Sequence, residues 1–178
     1  MLSIVKYVIR IFVLHASIAK PLGESGKLQL TTDMTELEFA LNAFLGPLSK
    51  RGLEAAGEEY KMLRAMRSVL FSCVDDTCPN TVCNRPLLFL DTPSLASPMH
   101  VANLPPLVVL HHILVRSPLP LPHTMHGWQE AEYVRWVDEH REVEALGLIE
   151  AGLGKAKGNE GAEYVELAKR VLSHAKGE

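Results

Sequence analysis

The side chains best able to do chemistry gather between positions 111 and 140. His111-His112 and His123-x-x-His126 supply imidazoles, the groups most used as metal ligands and as proton carriers near neutral pH. Adjacent histidines on a helix point about 100° apart, so the first pair does not serve one ion easily. His123 and His126 have no Asp, Glu or Cys at ligand spacing until Glu130 and Glu132. Core or loop histidines are the expected outcome, and no metal or other cofactor is expected. The acids Glu130, Glu132, Asp138 and Glu139 read as a solvated helical face rather than a facing acid–base pair. Cys73, Cys78 and Cys83 are an odd number at a C-x4-C-x4-C spacing. A structural zinc site needs four ligands in tighter pairs and a disulfide framework an even count, so reduced thiols are expected. No H-E-x-x-H, G-x-S-x-G or strand-linked phosphate loop occurs. Gly23-x-x-Gly26 and the glycines from Gly154 to Gly161 read as helix ends. No catalytic residue is expected.

The elements around these residues are helical in pattern. Pro105 and Pro106 suit a first helical turn, where backbone N–H groups have no intrahelical partner. Residues 107–115 are apolar almost all round apart from the two histidines, which marks a buried helix, a short apolar run being also compatible with a strand. Pro118, Pro120 and Pro122 then hold the chain extended. After Gly127, Tyr133, Trp136, Val137 and His140 share one helical face, with Glu132, Arg135 and Glu139 opposite. Both tryptophans, Trp128 and Trp136, belong to this stretch, which reads as a place to pack something. Together with Tyr60 and Leu63, the residues Trp128, Tyr133, Trp136 and Val137 are the expected structural anchors.

The chain has 178 residues, 47% hydrophobic and 22% charged, the balance of one ordinary globular domain with room for a core. A net charge of −3, with no basic stripe, gives no reason to expect nucleic acid. The first twenty residues carry Lys6, Arg10 and Lys20 and no acid, which resembles an organelle transit peptide. Against that, the same cations interrupt the apolar run, and Ile4, Val8, Ile11, Phe12 and His15 fall at helical spacing. The expectation is a core helix using that face, with nothing cleaved before Lys20.

Further along, Pro21-Leu22-Gly23 is expected to end the first helix, with a polar turn running to Thr32. Asp33 and Glu36 have capping-box spacing and open a helix whose seam is Met34, Leu37, Leu41, Phe44 and Leu48, with a kink or restart at Gly46-Pro47. Ala56, Tyr60, Leu63, Met66 and Leu70 form the next apolar face, with Lys61, Arg64 and Ser68 towards water and Arg67 snorkelling at the edge. Residues 73–103 lose all periodicity and read as a long irregular loop or insertion. The final helices show Val143, Leu146, Ile149 and Leu153, then Tyr164, Leu167, Ala168 and Val171. No strand pattern appears. The fold class is all-α: an antiparallel helical bundle or helical-rod segment of six to seven helices. Residues 1–72 and 104–178 form its two halves within one domain, and 73–103 is the loop.

The segments HASIAKPLGESGKLQL, YKMLRAMRSVLF, VVLHHILVRSPLPLPH and HGWQEAEYVRWVDEH, in that order, resemble the C-terminal part of the fifth subunit of the conserved oligomeric Golgi complex. The likeness runs from about Val5 to Leu172; its most specific pieces are Tyr60-Lys61-Met62-Leu63-Arg64 and the R-S-P turn before the Trp128 helix. The resemblance implies a non-enzymatic helical-rod piece of a Golgi vesicle tether. Such a piece acts in intra-Golgi retrograde transport, contacts other subunits including the seventh, and sits peripherally on the cytosolic face of Golgi membranes. Family chains are several times longer, so this chain is expected to correspond to part of such a subunit, without the N-terminal coiled region. The competing expectation, from the basic N-terminus and from His111, His112, His123 and His126 near a metal, is a small helical metal-binding or organelle-imported protein of unassigned activity, an enzyme included.

Overall fold

A computed structural model describes residues 1–20, 23–46, 50–71, 103–155 and 161–176. Among them lie eight α-helices and one short 3-10 helix, with no strand. They are α1 (Leu2–Ser17), α2 (Glu24–Leu45), the 3-10 helix (Gly52–Ala56), α3 (Glu58–Phe71), α4 (Pro106–Arg116), α5 (Pro122–Met125), α6 (Glu130–Glu139), α7 (Glu142–Lys155) and α8 (Ala162–Lys176). The protein is an all-α helical bundle. The helix beyond the expected six to seven is α5, one turn that starts at Pro122. A proline at the first helical position loses no hydrogen bond, so the third proline of the extended stretch nucleates a turn instead of continuing it.

The core forms two clusters that share α1 and α4. In the first, Val5, Ile9 and Val13 of α1 meet Met34, Leu41 and Leu45 of α2, Leu53 and Ala56, and Met62, Leu63, Met66 and Leu70 of α3. Leu104 and Val108 close it from the α4 side. In the second, Leu110, Ile113 and Leu114 of α4 pack with Tyr133, Val134 and Val137 of α6. Ala145 and Ile149 of α7 and Leu167, Ala168 and Val171 of α8 complete it, with Leu14 of α1 and Ile18 just beyond its end. Helix α4 therefore buries nearly its whole circumference, as its apolar sequence requires: Leu107, Val108, Leu110, His111, His112, Ile113, Leu114 and Val115 are all buried.

Several faces differ from those the periodicity selects. The buried side of α1 is Val5, Ile9, Val13 and Ala16; Ile4 and His15 are exposed, and Val8, Ile11 and Phe12 are half-buried. The helix is apolar nearly all round, so spacing alone cannot orient it, and the two clusters on either side decide. Helix α2 begins at Glu24 with Gly23 as N-cap, so the polar turn to Thr32 is helix and Asp33 lies inside it, accepting a 2.8 Å hydrogen bond from Gln29. The predicted Asp33–Glu36 capping box is absent. A reciprocal box forms instead at Gln129 and Glu132, the N-cap and N3 residues of α6. Phe44 and Val143 are exposed, whereas Leu45 and Ala145 are buried. Helix α2 ends at Leu45 with Gly46 as C-cap. Pro21, Leu22, Leu48, the three cysteines and the rest of the expected 73–103 loop up to 102 lie outside the described residues, as do 156–160 of the glycine-rich turn.

Candidate functional site

Where α1, α4 and α6 meet, a buried polar chain crosses the second cluster. Ser17 Oγ donates to the Leu14 carbonyl at 2.7 Å. A hydroxyl has a single proton, so towards His111 Ser17 Oγ acts as acceptor of Nδ1–H at 2.8 Å. That fixes the tautomer: Nε2 of His111 carries the lone pair and accepts from the Tyr133 hydroxyl at 2.7 Å. Burial, reinforced by the charge of His123, lowers the His111 pKa from 6.5 to about 3, and burial raises that of Tyr133. Both groups stay neutral, as a hydrogen-bonded chain in a low-dielectric core requires. His111 and Tyr133 have no exposed surface, so no substrate reaches this chain of donors and acceptors. Through it Tyr133 of α6 is tied to His111 of α4 and Ser17 of α1.

The other histidines do different things. His112 is buried, and its pKa falls to about 3 through burial and the charges of Arg116 and Lys27. His123 is buried on α5, and its Nδ1, like Nε2 of the half-buried His126, makes no hydrogen bond. Among the described residues, no three His, Cys, Asp or Glu side chains gather at metal-binding separations. Glu130, Glu132 and Glu139 are exposed, and Asp138 pairs with Arg10 of α1.

Of the expected anchors, Leu63 and Tyr133 are fully buried and Val137 is buried, while Tyr60, Trp128 and Trp136 are half-buried. Val134 is buried in the α6 face in place of Trp136, which turns that face by part of a helical step. Trp136 instead lies at the border, near Glu132, Arg135 and Glu139, the residues expected opposite it. An aromatic ladder results. His126 to Trp128 is 5.5 Å between ring centres, Trp128 to Trp136 is 5.7 Å, and His140 stacks on Trp136 at 4.1 Å. His140 Nδ1 also donates to the Trp136 carbonyl at 2.7 Å, tying the end of α6 to the stack. The turn that aims Trp128 at α6 needs Gly127, whose φ of +70° is a left-handed conformation that side chains with a Cβ resist.

Two further features carry no signal in the local sequence. Lys20 reaches the C-terminus of α4, its ammonium donating to the carbonyls of Ser117 at 2.8 Å and Leu119 at 3.2 Å. A cation there is favoured by the helix dipole and satisfies carbonyls that the helix leaves open. A cavity of about 470 Å³ lies between the clusters, with Leu14, Met62, Leu107, Val108 and Val137 among its walls and the Arg10–Asp138 ion pair beside it.

Comparison with known proteins decides the lineage. The chain is 34% identical over 144 residues to conserved oligomeric Golgi complex subunit 5 of Arabidopsis thaliana, which covers 80% of the chain. It is 28% identical over 186 aligned positions to the mouse subunit of the same name, covering 96% of the chain. The chain is a relative of conserved oligomeric Golgi complex subunit 5. It spans 14% and 20% of the lengths of those two curated subunits, so it matches one part of the subunit 5 chain. No protein-family model matches it, and no solved structure does. Both the buried chain at His111 and the aromatic ladder on α6 therefore lie in a sequence whose relatives are named as subunits of a complex.

Proposed function

We propose that this protein is a non-enzymatic scaffold module of a Golgi vesicle-tethering complex, acting in intra-Golgi retrograde transport through helix-mediated contacts with other subunits, the seventh among them. The observation that carries this reading is the likeness to subunit 5 of a plant and of a mouse across 80% and 96% of the chain. The site chemistry supports it. The polar groups best suited to catalysis, Ser17, His111 and Tyr133, are buried and consume one another's hydrogen bonds. Among the described residues no helix is long and apolar enough to cross a membrane. In this reading the chain reaches the cytosolic face of Golgi membranes peripherally, through its partners. Its net charge of −3 favours no contact with nucleic acid.

A tagged full chain expressed in its own cells tests the proposal. It should co-purify with tether subunits, the seventh included, and turn diffuse when that partner is depleted. Recovery of no tether subunit, or Golgi localisation that persists without them, would overturn it.

A further inference from the structure

The outer face of α6 carries a shallow groove of about 250 Å³ formed by Trp128, Glu132, Arg135, Trp136 and Glu139. The chain has two tryptophans, and both line it. Each is half-buried, so each indole is held by its neighbours and still offers surface. Elsewhere the protein covers aromatic rings with its own cations: Arg10 lies over Tyr7 and Arg64 over Tyr60, each at 6.0 Å. Among the described residues no arginine or lysine lies over either indole, and His140 stacks on one face of Trp136, leaving its other face for a partner. Glu132 and Glu139 flank the indoles against the single cation Arg135, which leaves the groove with a net negative charge.

We infer that this groove is a docking surface for an arginine-bearing segment of a partner protein. A guanidinium is planar and weakly hydrated; it stacks on an indole face while its N–H groups bind a carboxylate. Tryptophan and arginine pairs of this kind dominate the energetics of many protein interfaces. The acid-rich lining selects a basic partner and repels an acidic one. Arg135 limits the charge gained and sets the spacing that an incoming side chain must fit. This inference rests on the tether reading for the identity of the partner and names the surface that partner uses.

The groove reports on itself, because all tryptophan emission of the chain arises there. The full chain is titrated with two synthetic peptides of one alanine-rich helical host, one bearing two arginines four residues apart, the other two glutamates. The arginine peptide should change the emission saturably and the glutamate peptide should not. Glu139→Lys should weaken the arginine peptide about fivefold and Arg135→Glu should tighten it, the scale of reversing one exposed charge. Glu139→Lys removes an acid from the last turn of α6, where the helix dipole disfavours it, so a folding defect is not its expected effect. Circular dichroism checks this. Equal responses to both peptides, no saturable response, or shifts of the same sign in the two variants would overturn the inference. In cells, Glu139→Lys should recover less of whatever tether subunits the unmodified chain recovers. Equal recovery by both would reject this surface and leave the tether reading standing. If the unmodified chain recovers none while the arginine peptide binds as described, the tether reading fails and the surface stands.

Discussion

The cluster formed by α1, α2 and α3 buries three methionines, Met34, Met62 and Met66, among aliphatic residues. Its polar contacts sit at the rim, as with Arg67, which reaches Glu38 at 3.3 Å and Thr35. The cluster formed by α4 to α8 instead passes a hydrogen-bonded chain from Ser17 through His111 to Tyr133 through its interior. Hydrogen bonds have direction, and one unmet partner in a dry core is costly, so this chain admits a single register of α6. Methionine side chains are flexible and repack with little loss. Helix α2 of this cluster also leaves large apolar side chains in solvent: Phe39 is 76% exposed, Leu28 62% and Phe44 42%. One region sets its geometry through directed hydrogen bonds, while the other fills space.

The largest effect that can break this comparison is at Tyr133. Tyr133→Ala opens a cavity and strands His111 Nε2, and should cost about 3–5 kcal/mol. Met34→Leu, equally buried, conserves volume and should cost less than about 1.5 kcal/mol. Urea unfolding at neutral pH followed by circular dichroism measures both, and comparable losses would remove the distinction.

Acid comes next. His111 and His112 have folded pKa values of about 3 against 6.5 when unfolded. Below pH 6.5 the unfolded chain binds protons that the folded chain refuses, so their contribution is full above that pH and is lost as pH falls towards about 3. Between pH 6.5 and 5 the loss should be about 2 kcal/mol per histidine. Unfolding midpoints across that range should fall, and a flat profile would show that the imidazoles are not held neutral. Tyr133→Phe isolates the hydrogen bond: leaving Nε2 unpartnered should cost about 1–3 kcal/mol, with little change in packing. The smallest change belongs to the other region. Phe39→Ser, on the open face of α2, should shift stability by no more than about 0.5 kcal/mol.

The helical class was legible because apolar steps of three and four recur in most segments, and α8 shows Tyr164, Leu167, Ala168 and Val171 buried as spaced. Orientation was legible only where one face is polar. Helix α1 has apolar residues nearly all round, so the face containing Ile4 and His15 looked as good as the one the two clusters bury. Helix α2 packs lightly, and its polar first turns from Glu24 to Thr32 carry no stripe to reveal them as helix. At the candidate site the histidines were visible as types. Their partners were not: Ser17 lies 94 residues from His111 and Tyr133 lies 22 away. Lys20 likewise looked like the end of a basic leader, and only the placement of α4 brings three carbonyls to its ammonium.

Amide hydrogen exchange of the intact chain at neutral pH tests the contrast between the regions most directly. Protection follows the free energy of local opening, so the adaptable region should open without the specified one. We expect amides in α2 to exchange far sooner than those in α4 and α6, whose protection should approach the stability of the whole protein. Protection in α2 equal to or greater than that in α4 and α6 would contradict the account.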